Sequence, residues 1–140
     1  MKELILSGML LLSFSAFSQG ESVHLYKDAS CGCCQLWGEG VHKAGYDVVV
    51  NEISYDELSQ LNNKLKVPHH LRSCHIATYK NKVIVGHVPV SSLDTIDELS
   101  TDVVGISVPG MPIGSLGMEQ LDGRTQPYSV VQFKAEGQYR

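Results

Sequence analysis

Three features of the sequence predict an α/β fold. Apolar residues at Cys34, Trp37, Val41 and Ala44 recur at helical spacing between two β-type runs. A second helical stretch follows, with Leu58, Leu61 and Leu65 on one face. Two further β-type runs meet across a tight Lys80-Asn81 connection, which reads as a hairpin. The length, 140 residues, suits one domain.

In chain order, Val23-His24-Leu25-Tyr26 is a short strand. The first helix covers residues 31–44, with Ser30 as N-cap. Gly38 and Gly40 weaken it and Gly45 can end it. A strand over residues 46–53 centres on Val48-Val49-Val50. The second helix covers residues 56–66 and is stopped by Val67-Pro68. Residues 74–79 and 82–88 form the hairpin. Residues 91–100 form a third helix, with Leu93 and Ile96 inward. The order is β-α-β-α-β-β-α, the thioredoxin-like order. The first two strands are parallel by right-handed crossover and the last two antiparallel.

Residues 19–104 make the core in this reading. Residues 105–140 are a C-terminal loop and tail of the same domain. Proline and glycine crowd the stretch from Val108 to Glu119 too closely for a regular helix or central strand. An ordered loop wrapped on the domain is expected there. Residues 128–133 suggest a late edge strand, and residues 135–140 a frayed end.

Composition narrows the function. Apolar residues are 43% and charged residues 19%, which is globular and not disordered. Eleven Lys and Arg are scattered against fifteen Asp and Glu, net −4, so no basic face for nucleic acid exists. No phosphate-cradling glycine loop or Ser/His/Asp hydrolase pattern stands out. Residues 1–18 read as a signal peptide: Lys2, an apolar stretch from Leu4 to Phe17, then Ala16-Phe17-Ser18 before a cut at Gln19. Glu3 offsets the charge of Lys2, and the rivals are an uncleaved membrane anchor or a buried first strand. The apolar stretch is short for a hydrocarbon core of about 30 Å. Cleavage leaves an exported chain with no membrane segment, in an oxidising compartment.

The informative residues are the cysteines. Cys31-Gly32-Cys33-Cys34 sits where the first strand meets the first helix. Unpaired N–H groups and the positive dipole end favour thiolate there. Three sulfurs in four residues exceed the needs of one disulfide, and adjacent Cys33 and Cys34 pair poorly. Cys74 opens the third strand, where a thioredoxin-like fold usually holds a cis-proline; Pro68 lies too early to substitute. The fourth sulfur should therefore face the other three. If Lys80 and Asn81 form the turn, Tyr79 pairs with Lys82 and Cys74 with His87. Opposed residues have Cβ atoms ~4.5–5.5 Å apart, so His87 joins the site. His75 alternates to the other face unless a bulge intervenes, and ranks below His87. Met111 and Met118, the two methionines of the mature chain, lie in the Pro/Gly loop, and thioethers suit Cu(I). They could equally be loop residues packed on the sheet. His24, His42, His69 and His70 have no assigned role, and Trp37 is most simply a helix-to-sheet anchor.

These motifs resemble one family. Cys31-Gly32-Cys33-Cys34 with Trp37, then Val67-Pro68, Leu71-Arg72-Ser73-Cys74-His75, Gly86-His87-Val88-Pro89, and Val108-Pro109-Gly110-Met111-Pro112 through Gly117-Met118-Glu119 are similar to the CopG-type exported metal-binding proteins of bacterial copper resistance. Leu116 stands where a typical member has proline. The resemblance spans roughly residues 22–133. It implies a thioredoxin-like domain, a periplasmic location, and copper held by the C-x-C-C and Cys-His motifs.

Three readings follow. In the first, Cys31, Cys33, Cys34 and Cys74 give thiolates to Cu(I), in a multi-copper cluster if thiolates bridge. His87, Met111, Met118 and, below them, His75 complete the coordination. The partners are copper ions and other periplasmic copper-handling proteins. Storage is not separated from exchange of Cu(I) with Cu(II) as a copper-dependent oxidoreductase. The second reading is a periplasmic thiol–disulfide oxidoreductase using Cys31 and Cys34. It needs neither Cys33, Cys74, His87 nor the methionines. The third is a zinc site of four cysteines, although three ligands within four residues strain tetrahedral closure.

Overall fold

The computed structural model describes residues 20–135, so the signal-peptide reading of residues 1–18 lies outside the described residues, as do residues 136–140. Strand β1 spans Val23–Lys27 and leads into helix α1, Gly32–Lys43. Strand β2, Val48–Glu52, follows, and then helix α2, Tyr55–Lys64. A 3-10 turn at His69–Leu71 precedes β3, His75–Tyr79, and β4, Lys82–Gly86. The short helix α3, Val90–Asp94, and a second 3-10 turn, Ile96–Glu98, precede β5, Val103–Val108, and β6, Val131–Lys134.

The strands form one sheet in the order β2-β1-β3-β4-β5-β6. β1 is parallel to β2, and β1 to β3 and β3 to β4 are antiparallel, in the expected order. The hairpin register is also the expected one, with Tyr79 opposite Lys82. Lys80 and Asn81 both take positive φ, 47° and 60°, the turn that matches strand twist in a two-residue hairpin.

Local chemistry explains the helix ends. Ser54 and Glu57 form a reciprocal capping box at the start of α2, which therefore begins at Tyr55 and not at residue 56. Ser30 is not the N-cap of α1. Its N–H donates to Asp28 Oδ1 at 2.9 Å and its hydroxyl to the same carboxylate, so it is held in a turn and Cys31 takes the cap position. The third helix is shorter than expected and passes into the 3-10 turn after Thr95. Leu93 and Ile96 still point inward, each 1% exposed.

The main departure is at the C-terminal side. β5 is an interior strand, parallel to β4 and antiparallel to β6, where a loop was expected from residue 105. β5 is buried along most of its length, so its side chains show no polar–apolar alternation to read. Gly105 interrupts the run because a Cβ there would meet Val83 O at 2.2 Å and Phe133 Cζ at 2.8 Å. The edge strand expected over residues 128–133 is present as β6. Between the two strands the Pro/Gly segment does wrap the domain.

Alternation along β3 serves two cores. Ala77 joins Leu25, Trp37, Val41, Ile84 and Leu93 on one face. Ile76 joins Leu58, Leu71, Val85 and Phe133 on the other. Trp37 anchors α1: it is fully buried and its Nε1–H donates to Val88 O at 2.9 Å. Among the described residues no helix is long and apolar enough to cross a membrane.

Candidate metal centre

The chain leaves β1 at Lys27, turns through Asp28 to Ser30 with Cys31 N–H donating to Asp28 O, and enters α1. Cys31 makes no side-chain cap hydrogen bond, so the sulfurs of this turn gather at a helix start whose N–H groups lack a side-chain partner. Cys31 and Cys34 form a disulfide, with Cα atoms 5.4 Å apart. Cys33 and Cys74 are free thiols. Cys33 Sγ lies 3.7 Å from Cys31 Sγ, 3.9 Å from Cys74 Sγ and 3.8 Å from Met111 Sδ. The four cysteine sulfurs all lie within 4.8 Å of one another.

Cys74 is shared with a second cluster. His75 Nδ1 is 3.4 Å and His87 Nε2 3.5 Å from Cys74 Sγ. His87 Nδ1 sits 2.8 Å from the Leu116 carbonyl, which can only accept, so Nδ1–H donates to it and Nε2 is the ring nitrogen that faces the sulfur. The two imidazoles meet edge to face with centroids 5.1 Å apart. His75 also packs on Trp37 at 4.9 Å.

His75 therefore corrects the expectation that it points away. Alternation applies within a strand, but β3 begins at His75 and Cys74 precedes it in a bend, so both side chains reach the same corner. Gly86 ends β4 at φ +73°, where a Cβ would strike Val108 O at 2.4 Å, and turns His87 into that corner. The structure gathers Cys31, Cys33, Cys34, Cys74, His75, His87 and Met111. Met111 is 52% exposed at the mouth. Met118 is held by its backbone, accepting from Gly114 N–H and donating to Ser115 O, and no comparable sulfur contact joins it to the cysteines among the described residues.

The Pro/Gly loop is part of the centre. Ser73 donates to Gly110 O at 3.0 Å, which holds the loop beside Cys74. Gly117, at φ +85°, lies flat on α1, where a Cβ would be 2.8 Å from both Cys33 O and Trp37 N. Glu119 accepts from Gly117 N–H. The sequence motifs contain these residues without revealing their supporting role, although the glycine spacing within residues 110–117 is a signal of close backbone approach.

The electrostatics favour neutral groups in the metal-free protein. Burial, followed by Cys33, pushes the Cys74 thiol up to about 11; Cys74 lies before β3 and not at a helix start, so no helix N-terminus offsets its burial. Burial, followed by His87, pushes His75 down to about 3. His75 Nε2 is buried without a hydrogen-bond partner. Sulfur, imidazole and thioether donors around one corner suit a soft cation, whose charge would displace the Cys74 proton.

Comparison with known proteins is consistent in its direction. A family described as a protein of unknown function, DUF411, matches residues 71–118, which include Cys74, both histidines and both methionines of the loop. No curated protein matches. A solved structure described as copper resistance protein copG, form 1, is similar at 34% identity and TM-score 0.79, covering 87% of this chain and 94% of the other. Form 2 is similar at 35% identity and TM-score 0.78, covering 87% and 95%.

Proposed function

This chain belongs to the CopG family of copper resistance proteins, and from that premise we propose that it is an exported, periplasmic protein that binds Cu(I) as its cargo. The observation that carries the reading is the gathering of four sulfurs within 4.8 Å, one of them shared with a Cys-His-His set. Cys31, Cys33, Cys34 and Cys74 supply thiolates, and His87, His75 and Met111 complete the donor set. Met118 lies further along the same loop as a later donor.

The residues also set conditions for loading. Cys31 and Cys34 bind as thiolates only after their disulfide takes up two electrons. Cys74 must give up its proton, so binding releases protons and weakens with falling pH. Leu116 O keeps His87 in the tautomer that offers Nε2. Thiolates bridging two ions would let this donor set hold a small Cu(I) cluster. Exchange of Cu(I) with Cu(II) is the redox extension of the same role.

The Cys31–Cys34 disulfide favours a second reading, a thiol–disulfide oxidoreductase. One experiment separates the two. The double variant Cys33→Ser with Cys74→Ser keeps the Cys31–Cys34 pair and removes two of the four sulfurs. Serine oxygen is a poor donor to Cu(I). The reduced variant should bind at most half the copper per chain and confer no copper tolerance. Full copper binding and tolerance would overturn the four-sulfur site and put the oxidoreductase first.

A further inference from the structure

Cys74 also lines a second space, beside α2. A half-enclosed cleft of about 450 Å³ lies between α2 and the 3-10 turn at His69–Leu71 and ends at Ser73 and Cys74. That volume is in the range of small-molecule sites and too narrow for a folded partner. Its other principal lining residues are Tyr55, Asn62, His69 and Arg72.

The lining contains no acidic residue, although the chain as a whole carries net −4. Arg72 is fixed by neutral acceptors alone: its Nε donates to Val67 O at 3.2 Å and its Nη2 to Asn63 Oδ1 at 2.7 Å. Among the described residues no carboxylate pairs with it. Its charge is oriented and uncompensated, and His69 adds an imidazole on the exposed wall. Asn62 is 3% exposed, and its Oδ1 has no hydrogen-bond partner. Tyr55, 77% exposed, supplies an aromatic wall.

We propose that this cleft binds a small anionic thiol, with its carboxylate at Arg72 and its sulfur at Cys74. The proposal extends the copper reading by giving the cargo an exit. The incoming thiol passes its proton to the Cys74 sulfur as its own sulfur takes the ion. At Cys74 one copper–sulfur bond breaks and another forms with no electron moved, and the ion leaves once further thiol exchanges of the same kind replace its remaining protein donors.

The test uses the metal-free protein, so it stands apart from the copper reading. In a Cys33→Ser background with the Cys31–Cys34 disulfide intact, Cys74 is the one free thiol of the four cysteines. Its rate of reaction is measured with anionic 5,5′-dithiobis(2-nitrobenzoate), with oxidised glutathione, and with neutral 4,4′-dithiodipyridine. Arg72→Gln should slow both anionic reagents about fivefold, the equivalent of one exposed charge pair, and leave the neutral reagent unchanged. His69→Glu, on the exposed wall, should slow the anionic reagents in the same direction, by setting a carboxylate against the charge of Arg72 while the Val67 and Asn63 acceptors stay in place. In the copper-loaded native chain, Arg72→Gln should leave copper per chain unchanged and slow transfer to glutathione but not to 2-mercaptoethanol. Equal effects on anionic and neutral reagents, or none on either, would overturn the proposal while leaving copper binding intact. Failure to bind copper, with the charge preference retained, would overturn only the copper reading.

Discussion

Gly117→Ala tests whether the loop must touch α1 to complete the metal centre. At φ +85° an alanine pays a backbone cost of about 1–2 kcal/mol. Its Cβ would also sit 2.8 Å from Cys33 O and from Trp37 N, and neither is the flexible end of a side chain. Overpacking against such atoms costs roughly 1–3 kcal/mol. Together these predict a loss of about 3 kcal/mol, or a fall in Tm of roughly 10 °C for a domain this size. Gly123→Ala is the control, because φ there is +72° and nothing lies within 4 Å of the new Cβ. It should cost only the backbone part, about 1 kcal/mol. The assay is urea and thermal unfolding of both metal-free variants beside the parent. A displaced loop also moves Leu116 O from His87 and Met111 from Cys33, so Gly117→Ala should weaken copper binding and Gly123→Ala should not. Equal stability losses in the two variants would refute the close approach of loop to helix.

Further outcomes follow from the same structure. Unfolded His75 takes a proton below about 6.5 while the folded residue resists until about 3, so the unfolded state binds more protons in that window. Metal-free stability should then fall with falling pH there, by about 1.4 kcal/mol per pH unit from this group, and His75→Phe should flatten that slope in urea unfolding at several pH values. Cys33→Ser removes one of the two leading causes that raise the Cys74 thiol, so iodoacetamide should modify Cys74 faster near pH 9 than in the parent; an unchanged rate would assign the shift to burial alone. Ser54→Ala breaks the capping box and should cost about 1 kcal/mol by thermal unfolding, with copper per chain unaltered.

Much of the fold and part of the site were legible in the sequence because they depend on local spacing. The apolar period around Trp37 specifies α1, and the two-residue Lys80-Asn81 turn specifies the hairpin register from Tyr79–Lys82 to Ile76–Val85, beyond whose open end Cys74 and His87 meet. The C-x-C-C run puts three sulfurs at one helix start without reference to anything distant. The capping box at Ser54 is equally local, a Ser-x-x-Glu pattern at the start of α2.

The tertiary structure decided the rest. β5 is a strand because β4 and β6 flank it, and a buried run with a glycine carries no alternation of its own. His75 turns into the site because its strand begins at that residue, a boundary set by pairing with Lys27 of β1. The tautomer of His87 depends on the carbonyl of Leu116, a backbone atom common to every residue type. The cleft beside Cys74 exists because α2 docks against β1 and β3. Residue type and spacing determined which donors this protein has. Their common corner, and the second opening behind it, come from packing between segments far apart in the chain, which no local periodicity records.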